Sequence, residues 1–318
     1  MRYSGIGGQA VIEGVMMRNG DDYAVAVRKP DHEIAIRKQK VSGPGTDHWS
    51  RKIPIVRGVL SFADSLVLGM GALSVSSEYF DEEDEDEKKS VEEDDSAKSE
   101  KKQKKEKLEN TLILVSSFVL AIVVFMIIPY LLSLLFKRFG LGDMLITLIE
   151  GVIRVVIFLA YMFFISFLED IKRTYMYHGA EHKCINCIES GLELNVENVR
   201  KSSRFHKRCG TSFLFVVVIV SIVVFMFIRV DSRILRLALR LLLIPVVAGI
   251  SYEFIRLAGR YDNPVINFLS KPGLWLQKLS TAEPDDDMIE VGIASVEAVF
   301  DWKDFISKSE NSNGDNSK

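Results

Sequence analysis

The chain has 318 residues, 48% apolar and 26% charged, with a net charge of only −3. That balance argues against a nucleic-acid-binding protein, and so much apolar beside so much charged material implies segregation into lipid-facing and water-facing blocks. Three cysteines, two of them in a C-x-x-C, do not make a secreted disulfide framework, and the opening Met-Arg-Tyr-Ser-Gly lacks a signal-peptide layout.

Residues 1–78 are expected to form a small α+β subdomain with a membrane-associated helix. The Gly5-Ile-Gly-Gly8 cluster is not a phosphate loop, because no Gly-Lys-Ser/Thr follows it, and its glycines instead permit tight backbone packing. Gln9, Glu13 and Arg18 are polar residues in an apolar stretch, suited either to a nearby site or to a structural network, and Arg57 and Asp64 are in the same position. Alternation over Tyr23–Val27 and Glu33–Arg37, around a Pro-Asp turn, predicts a hairpin. The segment Gly58–Ser77 is just long enough to span a bilayer, yet its glycines and Asp64 favour a helix lying on or packed against the membrane portion. Residues 79–109, acidic from Asp81 to Glu87 and lysine-rich from Lys101 to Lys107, read as a disordered linker. Its basic end suits anionic headgroups, at about 1 kcal/mol per residue.

Residues 110–258 read as a four-helix membrane domain. The spans are Thr111–Phe136, Met144–Leu168, Ser212–Val230 and Leu235–Ile255, each reaching the ~20 residues that cross the hydrocarbon. Glu150 and Arg154 stand four apart and can pair, and the fourth span is broken by Arg236, Arg240, Pro245 and Glu253. Four spans place both termini and the loop 169–211 on one side. The lysines before the first span and the basic residues of that loop make this side the cytoplasm, by the positive-inside rule, and the membrane the inner one. Residues 259–306 are expected as a C-terminal helical segment: loop and short helix over Gly259–Thr281, then an amphipathic helix presenting Ile289, Ile293, Val296 and Phe300. Residues 307–318 read as a disordered tail.

The chemistry concentrates in the loop. His178 and His182 stand one helical turn apart with Glu181 beside them, the spacing of an H-x-x-E-H metal motif. If the second span continues past Leu168 as one helix, His178, His182, Ile185 and Glu189 form one stripe. Gly191 then ends the helix, Asn195 caps a short one, and His206-x-x-Cys209 returns to the same surface. His178, His182, His206 and Cys209, with Glu189 as a further ligand or orienting group, suit a divalent metal, zinc above others. Glu181 is the candidate base, and Lys183 and Arg208 the candidate binders of anionic substrate groups. The plainer alternatives are interfacial histidines bonded to backbone or headgroups, and a structural zinc on Cys184, Cys187 and Cys209. Cys187 also suits a small buried apolar position.

Several long motifs resemble one family. Gly7-Gly-Gln-Ala-Val-Ile-Glu-Gly-Val-Met-Met-Arg18, Tyr177-His-Gly-Ala-Glu-His-Lys183, Glu197-Asn-Val-Arg200, Arg208-Cys-Gly-Thr-Ser212 and Pro272-Gly-Leu-Trp-Leu-Gln277 are similar to the YqhQ family of bacterial multi-pass membrane proteins of unknown function. The resemblance implies a metal-dependent enzyme, with family motif positions at His178, Glu181, His182, Lys183, Glu189, His206, Arg208 and Cys209. Cys184 and Cys187 fall where members usually carry other residues, often Thr at the first, which implies that neither is a required ligand. Lys207 stands where a proline is common.

The fold expected is therefore a mainly α, polytopic membrane protein with four transmembrane helices and a small α+β cytoplasmic subdomain. The function expected is a metal-dependent hydrolase working at the cytoplasmic membrane face on a lipid-linked molecule or peptide. The alternative is a non-enzymatic scaffold or ion/lipid carrier with a structural metal.

Overall fold

A computed structural model describes residues 3–41, 49–89, 111–113, 115–228, 230, 232–260 and 263–314. The N-terminal region is an antiparallel meander of β1 (Gly7–Val11), β2 (Gly14–Asn19), β3 (Asp22–Arg28) and β4 (Ile34–Lys40), neighbours in that order. The expected hairpin is β3–β4, turning through His32 in the left-handed region at φ 68°. β2 carries no period-two signal because it is covered on both faces, and β1, an edge strand reading Gly-Gly-Gln-Ala-Val, has too few apolar residues to show one. Val15, Met17 and Ala26 face one core, while Met16, Tyr23, Val25 and Val27 face another. Gly14 is required at the β2–β3 contact, where a Cβ would fall 2.3 Å from the Ala26 carbonyl oxygen.

Eleven described helices follow. Helix α1 (Val56–Lys89) closes the second face of the sheet with Ala72 and Val75. It extends beyond residue 78, so part of the expected linker is helical; residues 90–110, including the basic run, lie outside the described residues. Helix α2 (Thr111–Phe139) contains one π-helical stretch, Val123–Ile127, just before Pro129. Proline cannot donate to the carbonyl four residues back, and that freed Phe125 oxygen accepts from Arg154 Nε at 2.9 Å. Helices α3 (Asp143–Ile165) and α4 (Glu169–Glu189) are separate. The expected continuous helix is thus corrected: the chain breaks at 166–168, Leu168 is extended, and Glu169 and Asp170 start α4 where negative charge suits a helix N-terminus.

A short α5 (Val196–Lys201) is capped by Asn195, as its sequence predicts, and Gly191 (φ 76°) follows the end of α4. Helix α6 (Gly210–Met226) has 17 residues, roughly 25 Å at 1.5 Å each, shorter than the expected third span. Helices α7 (Arg233–Leu242) and α8 (Ile244–Arg260) meet at a 42° bend beside Pro245. Among the described residues three helices, within α1, α2 and α3, are long and apolar enough to cross a membrane, and up to four if the bent pair is one span. Helix α1 was expected only against the membrane portion. It does pack there: Gly58 lies so near Gly249 of α8 that a Cβ would meet its oxygen at 2.5 Å, and Arg57 forks onto Glu253 at 3.0 and 2.6 Å.

Helix α9 (Pro264–Ser280) is continuous through Pro272 where loop and short helix were expected. The amphipathic α10 (Asp286–Val299) is as expected, burying Ile289 and Val296 against the sheet and α4. Truncating Ile289 to alanine is expected to lower stability by about 2–5 kcal/mol, measured as the shift in thermal unfolding. Helix α11 (Trp302–Gly314) replaces most of the expected tail.

Candidate metal centre

Helix α4 is buried from Tyr177 to Glu189 (His178 half-buried) because β1, β2, α10 and the returning segment 200–209 surround it. One turn apart on it, the His178 and His182 rings lie 4.3 Å apart. Cys209, the N-cap of α6, brings Sγ to 3.2 Å from His178 Nε2. One ligand atom from each of His178, His182 and Cys209 can be chosen so that all lie within 4.8 Å of one another.

Both imidazoles are oriented by backbone. His178 Nδ1 lies 2.8 Å from the Ser280 carbonyl and His182 Nδ1 lies 2.7 Å from the Arg204 carbonyl. A carbonyl only accepts, so each Nδ1 carries a proton and each Nε2 is turned toward the thiol. This is how metal-binding histidines are commonly held. Tetrahedral bonds of about 2.0–2.3 Å place donors roughly 3.4–3.6 Å apart; the Cys209–His178 separation of 3.2 Å is close to that, while the set as a whole, within 4.8 Å, would have to draw in around an ion. The Ser280 carbonyl is in turn held by a close passage: Ala282 donates to the Tyr175 carbonyl at 2.9 Å, and a Cβ on Gly179 would sit 2.0 Å from the Ala282 oxygen. Gly179→Ala is therefore expected to displace residues 280–282 and weaken metal binding at least tenfold, read by equilibrium dialysis.

Charges follow the geometry. Burial alone would keep the Cys209 thiol protonated, but His178 and His182 hold its pKa well below the usual thiol range. Burial opposes charge on His178 too, yet Cys209 and Glu181 raise it. With no ion bound, these directions favour a thiolate beside an imidazolium, and an ion would take the place of the His178 Nε2 proton. Thr211 N–H also donates to Sγ at 3.3 Å from the first turn of α6. Glu181 is buried beside β1, with Gly8 N–H facing it, and burial raises its pKa despite the two imidazoles. A Cβ on Gly8 would come within 2.8 Å of Glu181 Cγ, so that glycine admits the carboxylate. Gln9, His178, Glu181, Arg208 and Cys209 all border a cleft of about 360 Å³.

The five expected donors resolve into two groups. Glu189 does not reach the thiol: its Oε1 accepts from Ser4 N and Ser4 Oγ at 2.9 and 2.7 Å and from Arg208. His206 Nε2 is turned to Glu189 at 3.7 Å and to Arg208 at 3.3 Å. Arg208 and Ser4 claim the carboxylate, and the carboxylate and guanidinium claim the imidazole. Burial would raise the Glu189 pKa, but His206, Arg208 and Ser4 together hold it at about 2. A depressed folded pKa gives stability that is present above the unfolded value near 4.3 and fades as pH falls toward 2. The stability gap between wild type and Glu189→Gln is thus expected to be constant above about pH 5.5 and to shrink below pH 4, followed by chemical unfolding.

Lys183 is also corrected. Its Nζ donates to the Arg200 and Ser202 carbonyls at 2.9 Å each and pairs with Glu283 at 2.8 Å, so it caps α5 and does not face the cleft. Arg208 does border the cleft, stacked 4.3 Å over the Tyr3 ring, with its aliphatic carbons against Gly259. Cys184 and Cys187 are buried thiols away from the three donors, and burial raises both pKa values. Among the polar residues of the N-terminal stretch, Gln9 reaches the cleft. Glu13 instead pairs with Arg173 and Tyr177, and Arg18 bonds the Gly20 carbonyl.

Gln277 escaped the sequence reading. Its amide accepts from His206 N–H at 2.8 Å and donates to the His206 carbonyl at 2.7 Å and Ser212 Oγ at 2.9 Å. A lone glutamine at the end of Leu-Trp-Leu was the available signal.

Residues 53–302 match the model of a family described as "Protein of unknown function (DUF1385)". The chain is 38% identical over 291 residues to "Uncharacterized protein YqhQ" of Bacillus subtilis (strain 168), covering 91% of this chain and 90% of that protein. No solved structure matches.

Proposed function

We propose, for a chain that belongs to the DUF1385 family, a metal-dependent hydrolase of the inner membrane with its site at the cytoplasmic face. One observation carries this reading: two imidazole Nε2 atoms and one thiolate converge while each Nδ1 is already committed to a carbonyl. Three protein donors with an open fourth position distinguish a catalytic zinc site from a closed structural one. His178, His182 and Cys209 would hold the ion, which would supply electrophilic polarisation of a substrate carbonyl or phosphoryl oxygen. Glu181, whose pKa burial raises, would take the proton of the attacking water and deliver it to the leaving group. Arg208, at the edge of the cleft, orients an anionic part of a lipid-linked or peptide substrate.

In this reading α2, α3 and the bent pair α7–α8 cross the membrane with the shorter α6 as the remaining passage, α1 packs against them, and the basic loop 169–211 argues for a cytoplasmic site and termini. A closed structural metal, as the scaffold or carrier reading needs, finds no fourth donor in this group among the described residues.

A second reading rests on the same thiolate. Cys209, at a helix N-terminus and beside an imidazolium, is also arranged as a nucleophile without metal. Metal analysis of purified protein separates the two. About one equivalent of zinc, with Cys209 shielded from iodoacetamide until chelator is added, supports the metal enzyme. A metal-free protein whose Cys209 alkylates rapidly overturns it in favour of the nucleophile.

A further inference from the structure

We propose that α9 is an interfacial helix lying on the headgroup layer of an anionic bilayer, and that through Gln277 and Ser280 it couples lipid composition to the metal centre. The inference rests on the metal-site reading for its second half and on the geometry of α9 alone for its first.

The inner face of α9 meets one short stretch of chain. Asn267 accepts from Lys207 Nζ at 2.9 Å, a Cβ on Gly273 would lie 2.8 Å from Ser212 Oγ, Gln277 clamps His206, and Ser280 Oγ reaches Thr211 Oγ1 at 3.1 Å. Asn267 and Ser280 are roughly 20 Å apart along the axis at 1.5 Å per residue, yet both touch residues 206–212. Helix α9 therefore crosses the entrance of α6 and does not run beside it. Leu276 packs on Phe158 and Met162, which puts the helix level with the end of α3, where Phe163, Phe164 and Phe167 are exposed.

The outer face is apolar and open. Val265, Phe268, Leu269 and Trp275 are 67%, 68%, 48% and 54% exposed. At 100° per residue they fall, with Pro272, within an arc of about 120°, whose edge on the Leu269 side also holds the buried Leu276. Lys271 and Lys278, both exposed, follow on the opposite flank of that arc, beside Asn267. An apolar stripe with a tryptophan, bordered by lysines and set across the end of a spanning bundle, is the pattern of a helix lying in the membrane interface. The lysines select anionic headgroups, each roughly fivefold in binding near such a surface.

The inner face holds the site. Gln277 fixes the His206 backbone on both sides, and the Ser280 carbonyl sets the His178 tautomer. A shift of α9 on the headgroups reaches the donors through two hydrogen-bonded contacts. Gln277 is thus a positioning residue.

The test uses the full chain with Trp49→Phe and Trp302→Phe, leaving Trp275 as the sole indole. It is reconstituted in phosphatidylcholine vesicles, with or without about 30% phosphatidylglycerol, carrying bromine near the headgroup or at the chain end. Quenching by the shallow label is expected to exceed that by the deep one at least about twofold. Phosphatidylglycerol is expected to tighten cobalt binding about threefold or more, read from the thiolate-to-cobalt absorption band. Lys271→Glu with Lys278→Glu should abolish that increment and leave binding in phosphatidylcholine unchanged. Gln277→Leu should keep the quenching and lose the increment. The proposal is overturned if neither label quenches, as for a face in water or under a protein partner, if the deep label quenches more, or if the lipid response survives charge reversal. Cobalt binding in no vesicle sinks the metal reading, and the quenching pattern still decides where α9 lies.

Discussion

His182→Ala is expected to remove the metal, from about one equivalent per chain to below a tenth, while the protein stays folded. In the proposed site His182 Nε2 would be one of three protein donors, so its loss would leave two and an exchangeable ion; even disturbing an outer partner of a ligand usually costs 10–100-fold in affinity. Cys209→Ser is expected to act alike, because a serine hydroxyl is not deprotonated at neutral pH and offers no thiolate charge. Glu181→Gln separates binding from chemistry. Its carboxylate is not among the three donors, so metal should remain near one equivalent while turnover falls by a factor of about 10²–10⁴, the usual worth of a general base. The double variant Cys184→Ala, Cys187→Ala should retain metal, since both thiols are packed away from the centre. Elemental analysis of the purified variants, with thermal unfolding as the folding control, checks each. Metal retained by both His182→Ala and Cys209→Ser would discard the ligand set altogether.

The legible part of this molecule was the part written in local spacing. His178 and His182 share a helical face because α4 is a helix there, and Cys209 returns beside them because the 191–209 segment is short and capped where Gly191 and Asn195 say. What spacing could not show was competition among donors. His206 and Glu189 have the right chemistry for ligands, but Ser4, some 185 residues away in sequence, and Arg208 take the carboxylate first. Lys183 is a similar case: a buried ammonium is satisfied by the nearest carbonyls, and those of Arg200 and Ser202 depend on how α5 folds back. The groups orienting both imidazoles are backbone carbonyls, which carry no residue-type signal at all. In the fold, β2 hid because burial on both faces erases alternation, and β1 because it is a glycine-rich edge strand. The α3–α4 break hid because three ordinary residues, Ser166 to Leu168, make it. The stretch 259–281 reads as loop and short helix because Pro272 suggests a breaker, whereas on an exposed face a proline costs one hydrogen bond and is carried by packing on the other side.

Glu150→Ala is expected to lower stability by about 3–5 kcal/mol, seen as a fall of roughly 6–10 °C in thermal unfolding. Glu150 lies between Arg154, at 2.7 Å, and Arg240, all three at most 5% exposed. Arg154 is further held by Ser221 Oγ and the Phe125 carbonyl, and both guanidiniums lie over the Phe225 ring. Removing the carboxylate leaves two positive charges facing each other in an apolar bundle, which is far costlier than losing an exposed, solvent-screened pair such as Lys29–Asp31. Replacing all three by Leu and Met should be near neutral or stabilising, because such a triad is offset by its own desolvation. That contrast would tie these buried charges to assembly of α2, α3, α6 and α7. Metal content per folded protein should not change in either variant. Ser221 stands twelve residues beyond Cys209 along α6, roughly 18 Å from the centre, and a charged relay between the two would have to show itself as metal loss in Glu150→Ala.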